Sequence, residues 1–161
     1  MSFKLSSPAF GHHEMMPGLY TCEGPNISPP LEWTAPPAGT KSLVLIVDDP
    51  DAPDPDAPKM TWVHWVLYNL PPAAGILPEG VSNADLPPGT MIGINDRKNA
   101  GYNGPCPPIG THRYFHKLYA LDAVLPDMGH ATKAQVVEKM EGHVLAQSEI
   151  VGLYILQKKG Q

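Results

Sequence analysis

Twenty of the 161 residues are proline, roughly 12% against a usual ~5%, and this constrains the fold more than any other feature of the chain. Proline lacks a backbone N–H and has a fixed φ, so it is excluded from helix interiors and central strands. A chain this rich in proline needs long, stiff connections and can hold little helix. The stretch after Ala131 contains none, and a helix is expected there. Thr132-Lys133-Ala134-Gln135 is a capping-box pattern. Val136, Met140 and Val144, with Val137 beside them, then recur at four-residue spacing. The expected helix runs over about 132–147.

The remaining apolar segments are short and rich in β-formers. Leu43-Val44-Leu45-Ile46-Val47 reads as a strand buried on both faces, and its C-terminal end delivers Asp48 and Asp49. Trp62 to Leu70 is a second strand. Strict alternation would put Trp62, His64, Val66 and Tyr68 on one face, with Val63, Trp65 and Leu67 on the other. Thr111 to Leu121 is a third, with His112, Tyr114, His116 and Leu118 sharing a face. Leu31-Glu32-Trp33, Met91 to Ile94 and Ile150 to Leu156 are further extended segments, and the last residues form a polar tail. Strands separated by long connections, with one late helix, imply a mainly β fold. An antiparallel two-sheet β-sandwich is the expected architecture. Its edges would need covering or pairing, which a homodimer could supply.

Hydrophobic residues make up 42% of the chain and charged residues 17%, as in a folded globular protein, and residues 1–161 are expected to form a single domain. A net charge of -5 gives no electrostatic footprint for nucleic acid. No apolar run is long enough to span a membrane, and the first residues lack an apolar leader core. Cytoplasmic residence is the resulting expectation. Cys22 and Cys106 are accordingly expected to be free thiols rather than a disulfide.

Three segments carry chemistry. Asp49-Pro50-Asp51-Ala52-Pro53 is repeated at once as Asp54-Pro55-Asp56-Ala57-Pro58. The first copy follows the buried strand directly, so it is the one placed to reach a site, and the second is expected to be a surface extension. Trp62-Val63-His64-Trp65 and Gly110-Thr111-His112-Arg113-Tyr114 bring two histidines and a tyrosine to the ends of strands. The long polar loop from Asn95 to Gly110, with Gly104-Pro105-Cys106-Pro107-Pro108, has a length more often functional than idle. A cis peptide bond before Pro53 is expected in so tight an Asp-Pro turn.

These motifs, in this order, resemble the phosphatidylethanolamine-binding protein family, also called the Raf kinase inhibitor protein family, and in particular its small bacterial and archaeal branch. Asn26-Ile27-Ser28-Pro29 and the run from Pro37 to Ser42 fit as well, so the resemblance covers nearly the whole chain. It implies a β-sandwich with a small pocket for phosphate-like anions and phospho-headgroups. By position the ligand-binding residues would be Asp49, Trp62, His64, Pro108, His112 and Tyr114, with Asp51 at the edge and Arg113 directed to the opposite face of its strand. It implies binding rather than turnover, no cofactor, and regulation of a protein partner such as a kinase or a protease.

The chemistry can be read from the residues themselves. His64 and His112 can each supply an N–H and can become cationic near neutral pH. Tyr114 can donate its hydroxyl, and backbone N–H groups between Gly104 and Gly110 could form an anion nest. A bare Asp49 would repel phosphate, so it is expected to hold His64 or His112 in its donor form, and anion affinity is expected to fall as pH rises through the histidine pKa. Other readings of the same residues stay open. Asp49, His64 and His112 suit zinc, and an Asp/His pair can act as a general base in a hydrolase, although no nucleophile elbow or Walker loop is present. Cys106 is a candidate thiol nucleophile. A pocket-independent interaction module is a third reading. His12, His13, His116, His130 and His143 are read as structural.

Overall fold

The protein was analysed as a computed structural model that describes residues 3–157. Its strands are β1 (Leu5–Ser6), β2 (Glu14–Met15), β3 (Leu31–Trp33), β4 (Ser42–Ala52), β5 (Met60–Leu70), β6 (Ile76–Leu77), β7 (Met91–Ile92), β8 (His112–Leu121) and β9 (Val144–Tyr154), with one α-helix, α1 (Lys133–Met140). They form two sheets. A three-stranded sheet has the order β1-β3-β6, and a six-stranded sheet the order β2-β9-β8-β4-β5-β7. Every pairing is antiparallel except β2 with β9. The expected mainly β, two-sheet architecture is what the chain adopts. The polar tail lies, from residue 158 on, outside the described residues.

The long central strand β4 is apolar on both sides because both sides are covered. Leu43, Leu45 and Val47 join Trp65, Leu67, Leu118 and Ala120 against Leu5, Leu31, Trp33 and Leu77 of the small sheet. Val44 and Ile46, one residue out of phase, join Val66, Tyr68 and Leu121 on the opposite face, where Val136 and Met140 of α1 close over them. The helix begins as expected: the Thr132 hydroxyl accepts from the Gln135 N–H at 3.2 Å, and the Gln135 side chain accepts from the Thr132 N–H at 2.9 Å. It ends earlier than expected, at Met140 and not near Gln147. Gly142 has φ +82, a left-handed conformation that stops a helix cheaply only at glycine. Val144 is therefore the first residue of β9 and no part of a helical stripe.

Alternation along β5 also breaks. Val47 faces Trp65 while the next residue, Asp48, faces Val63, so His64 is an extra residue in the ladder, a β-bulge. The bulge puts Trp62 and His64 on the side that continues into Trp65 and Leu67, whereas Val63 joins Val66 and Tyr68. The strict period-two assignment is corrected accordingly.

The other correction concerns the cysteines. Cys22 and Cys106 form a disulfide across a sequence separation of 84, so neither is a free thiol and Cys106 is not a nucleophile. The bridge fastens the loop after Asn95 to the N-terminal segment. Three hydrogen bonds run beside it: Cys22 N–H to the Pro105 carbonyl (3.0 Å), Gly104 N–H to Asn26 Oδ1 (2.8 Å) and Tyr102 hydroxyl to the Tyr20 carbonyl (2.8 Å). Gly104 is required for this approach, since a Cβ there would fall 1.9 Å from the Tyr20 carbonyl oxygen. The Ala52–Pro53 bond is cis, as expected. None of the helices is long and apolar enough to cross a membrane, among the described residues.

Closing so long a loop in the unfolded chain is worth up to ~4–5 kcal/mol in the chain-entropy treatment. Cys22→Ser with Cys106→Ser is expected to lower unfolding free energy by about 2–4 kcal/mol in urea titrations. A thiol assay on the denatured, unreduced wild type should find no reactive thiol; two thiols would overturn the bridge.

Candidate functional site

The C-terminal end of β4 and the N-terminal ends of β5 and β8 lie together and frame a cavity of about 270 Å³. The register explains the convergence. Asp49 faces Trp62 across β4–β5, and the β4–β8 ladder, which closes with Asp48 opposite Phe115, leaves His112 and Tyr114 beside the Asp-Pro segment. Asp49, Trp62, His64, Pro108, His112 and Tyr114 all line the cavity, as expected. Asp51 does not. Its carboxylate turns away to a bidentate pair with the Arg113 guanidinium (2.9 and 2.8 Å) and also accepts the Arg113 backbone N–H at 2.9 Å. Arg113 is half exposed on the opposite face, as anticipated. It holds the Asp51 carboxyl below the usual carboxylate range. What Asp51 contributes to the site is its backbone N–H, which donates to Asp49 Oδ1 at 2.7 Å.

Of the two histidines open to pair with Asp49, the structure selects His112. Its Nδ1 lies 2.5 Å from Asp49 Oδ2, and both side chains are almost fully buried. His112 Nε2 faces the Ile109 carbonyl at 2.8 Å and the Pro53 carbonyl at 3.1 Å. Carbonyl oxygens only accept, so Nε2 carries a proton, and one further proton is held between Nδ1 and the carboxylate. Burial pushes the Asp49 carboxyl up, against the hydrogen bonds from His112 and Asp51 and the His112 charge. Burial, together with the Asp49 charge, raises the Tyr114 pKa. With both nitrogens committed to protein oxygens, His112 offers neither an N–H to a ligand nor a lone pair to a metal. Among the described residues no group of three or more His, Cys, Asp or Glu is placed to hold a metal ion.

His64 is different. Its Nδ1 donates to the Asn103 carbonyl at 2.7 Å, and its buried Nε2 has no hydrogen-bond partner. Burial brings its pKa down to about 4, so near neutral pH the ring is uncharged and presents an acceptor. His116, expected to be structural, packs against Phe10 and is likewise brought down to about 4 by burial. The loop from Gly104 to Gly110 is a poorer nest than expected. The Gly104 N–H is held by Asn26, and three of its residues are prolines with no N–H.

Sequence reasoning missed Arg97, the only arginine or lysine lining the cavity among the described residues. It is exposed at the mouth, and its guanidinium makes no ion pair among the described residues. The signal available was its position in the long loop after Asn95. Met60, Ala52, Pro53, Cys106 and Pro107 complete the largely apolar wall.

Neutral burial of two imidazoles makes the fold sensitive to acid. The unfolded chain protonates both near pH 6.5 while the folded chain resists to about pH 4, so unfolding takes up protons in that window and stability falls as pH falls. Each site should cost up to ~3 kcal/mol over the window. Asp49, with a raised pKa, acts in the opposite sense, its contribution being lost as pH rises through its folded value. Urea unfolding at pH 7, 5.5 and 4.5 should show the decline, and His116→Phe should shallow it. A flat profile would mean the rings are not held neutral.

The model of the phosphatidylethanolamine-binding protein family matches residues 6–155. A protein of Methanothermobacter thermautotrophicus described only as a UPF0098 protein is 50% identical over 151 residues, covering 93% of this chain and 97% of the relative. A crystal structure from Chlamydia trachomatis, described as a homologue of phosphatidylethanolamine-binding protein, superposes with a TM-score of 0.89 at 41% identity, covering 97% of this chain and 99% of the other. Escherichia coli YbcL, described as a member of the mammalian family, gives a TM-score of 0.87 at 32% identity, covering 98% of this chain and 100% of its own. With the ordered motifs, the two sheets and full-length matches in agreement, the chain belongs to the phosphatidylethanolamine-binding protein family, in its bacterial and archaeal branch.

Proposed function

We propose that the cavity binds a small oxyanion, either inorganic phosphate or the phosphate of a phospho-headgroup, and that the protein holds this ligand without turning it over. The observation that carries the reading is the Asp49–His112 pair. A carboxylate at an anion site would be repulsive alone, but at 2.5 Å from a doubly hydrogen-bonded imidazole it forms a unit with no net charge. The uncompensated cation at the cavity is then Arg97, whose planar fork suits phosphate and carboxylate oxygens. The matching family's printed name, which refers to a phospholipid, supports the same ligand class.

Binding without turnover is favoured by what the side chains lack. An Asp–His pair acts as a general base only if the distal nitrogen is free to take a proton. Here that nitrogen is sealed against the Ile109 and Pro53 carbonyls, and both cysteine thiols are used in the bridge. The bridge also bears on location. Reducing cytosol does not maintain disulfides outside hyperthermophiles, so the expected cytoplasmic residence would hold only under that exception. A protein partner, whether kinase, protease or second copy, would meet the exposed rim residues Met60 and Ile109.

An amide NMR titration of the wild type with phosphate and phosphorylethanolamine tests the reading. Saturable shifts are expected at His64, Arg97 and the loop from 104 to 110. Arg97→Gln, which removes the uncompensated charge at the cavity mouth and leaves the Asp49–His112 pair intact, should weaken binding at least tenfold, about 1.4 kcal/mol. No shift at millimolar ligand would refute an anion site.

A further inference from the structure

The two ends of the disulfide face different surroundings. Cys106 is partly buried and lines the cavity, whereas Cys22 is exposed on the N-terminal segment. That segment is itself anchored. Glu23, next to Cys22, accepts from the Tyr154 hydroxyl at 2.5 Å and from the Gln157 N–H at 2.7 Å, and Tyr154 is the β9 residue opposite His112. The bridge passes this anchorage to the cavity wall. Hydrogen bonds hold the wall on either side of its middle: the Gly104 N–H and the Pro105 carbonyl before Cys106, and the Ile109 carbonyl after it. Between them Pro107 and Pro108, which both line the cavity, have no N–H to give. The covalent tie therefore falls where the wall has least else to hold it.

We propose that the Cys22–Cys106 bridge is a thiol-exchange site whose redox state sets the affinity of the cavity: closed, it holds the wall in its binding shape, and opened by a dithiol reductant it releases the wall and weakens binding. The inference rests on the oxyanion reading above and names a regulation of that site. One thiolate of the dithiol attacks the exposed Cys22 Sγ, the Sγ–Sγ bond breaks, and Cys106 departs as a thiolate that takes a proton from water. The second thiol of the reductant then displaces Cys22 from the mixed disulfide. The protein gains two thiols, and the reductant, having given up two electrons and two protons, carries the disulfide.

The arrangement separates what reduction disturbs from what it leaves. The Asp49–His112 pair is buried on β4 and β8, and the Arg97 backbone N–H is held by Asn95 Oδ1 at 2.9 Å, so the charged groups of the cavity do not depend on the bridge. Pro107 and Pro108 do. Their fixed φ angles make the wall move as a stiff unit about its two hydrogen-bonded ends, so opening the bridge changes the shape of the cavity without unfolding the loop. A ligand then loses the advantage of a wall already in place and must order it on binding. The coupling runs both ways: if reduction weakens the ligand by some factor, the bound ligand makes the bridge harder to reduce by the same factor.

Amide NMR titrations of the wild type with inorganic phosphate and with phosphorylethanolamine, before and after treatment with dithiothreitol, provide the test. Reduction is expected to move amides in 18–28 and 95–110, to leave the central strands unchanged, and to weaken both ligands about fivefold or more. Cys22→Ser with Cys106→Ser should bind as the reduced protein does and ignore dithiothreitol. Equilibration of the bridge against dithiothreitol, with and without phosphate saturating both forms, should show the reduction constant lowered by the same factor as the affinity. Equal affinity in both redox states would overturn the switch and leave the anion site standing. A bridge that dithiothreitol opens only by unfolding the whole protein would overturn it too, since the tie would then serve global stability alone. Binding in neither state would overturn both readings.

Discussion

The site depends on one imidazole. His112 is held at Nδ1 by Asp49 and at Nε2 by the carbonyls of Ile109 and Pro53. A single ring thus joins the end of β4, the Asp-Pro turn, the start of β8 and the loop that closes the cavity. Such a buried pair is weak evidence for stability, because desolvating both groups offsets most of their attraction. Its effect is geometric. Removing either partner leaves a buried charge or donor uncompensated, so the surrounding segments are held to the one arrangement in which every oxygen and nitrogen of the pair is satisfied.

The loop that delivers Ile109 is made rigid by different means. Pro105, Pro107 and Pro108 fix φ and remove donors, the Cys22–Cys106 bridge ties the loop to the N-terminal segment, and Gly104 lets its backbone pass against the Tyr20 carbonyl. Trp65 and Tyr102 meet edge-on at 5.4 Å beneath it. A wall with so few remaining degrees of freedom loses little entropy when a ligand seats. The prolines that keep this chain from being helical are thus, at this loop, part of what pre-forms its cavity.

How much of this could be read from the chain follows from the length scale of each feature. β4, β5 and β8 were legible because each is a strand of ten or eleven residues, long enough for an apolar run or an apolar face to show. The strands β1, β2 and β6 have two residues each, too few for any period to show. The early end of α1 was signalled by Gly142, which the continuing Val136–Met140–Val144 spacing obscured. The six candidate positions that line the cavity were legible as motifs, but their arrangement was not. The bulge at His64 changes no residue, only the register, and whether Asp49 meets His64 or His112 is decided across strands. The disulfide joins residues 84 apart and depends on the same long-range closure. Asp51, read as part of the pocket, belongs to Arg113 for a similar reason: a further register shift, between Asp49 and Ala52, falls at Asp51, whose carboxylate pairs with Arg113.

That allocation explains how an acid-rich segment can border the proposed anion site. Asp48, Asp49 and Asp51 lie within four positions, yet each meets a different cation. Asp48 faces outward from β4, buried beneath Lys133 of α1 at 2.6 Å and Lys117 of β8 at 3.3 Å. Lys133 is the first residue of α1, where the helix dipole disfavours a positive charge; the buried Asp48 supplies the compensation and fixes the helix to the sheet. Asp49 is balanced by His112 and Asp51 by Arg113. Each carboxylate is neutralised within its own layer of the structure, one behind the central sheet, one in the cavity wall and one on the outer surface. The charge left over at the cavity is that of Arg97, so the field at its mouth is set by a residue far from the acidic segment in sequence, and the segment itself contributes shape and hydrogen bonds.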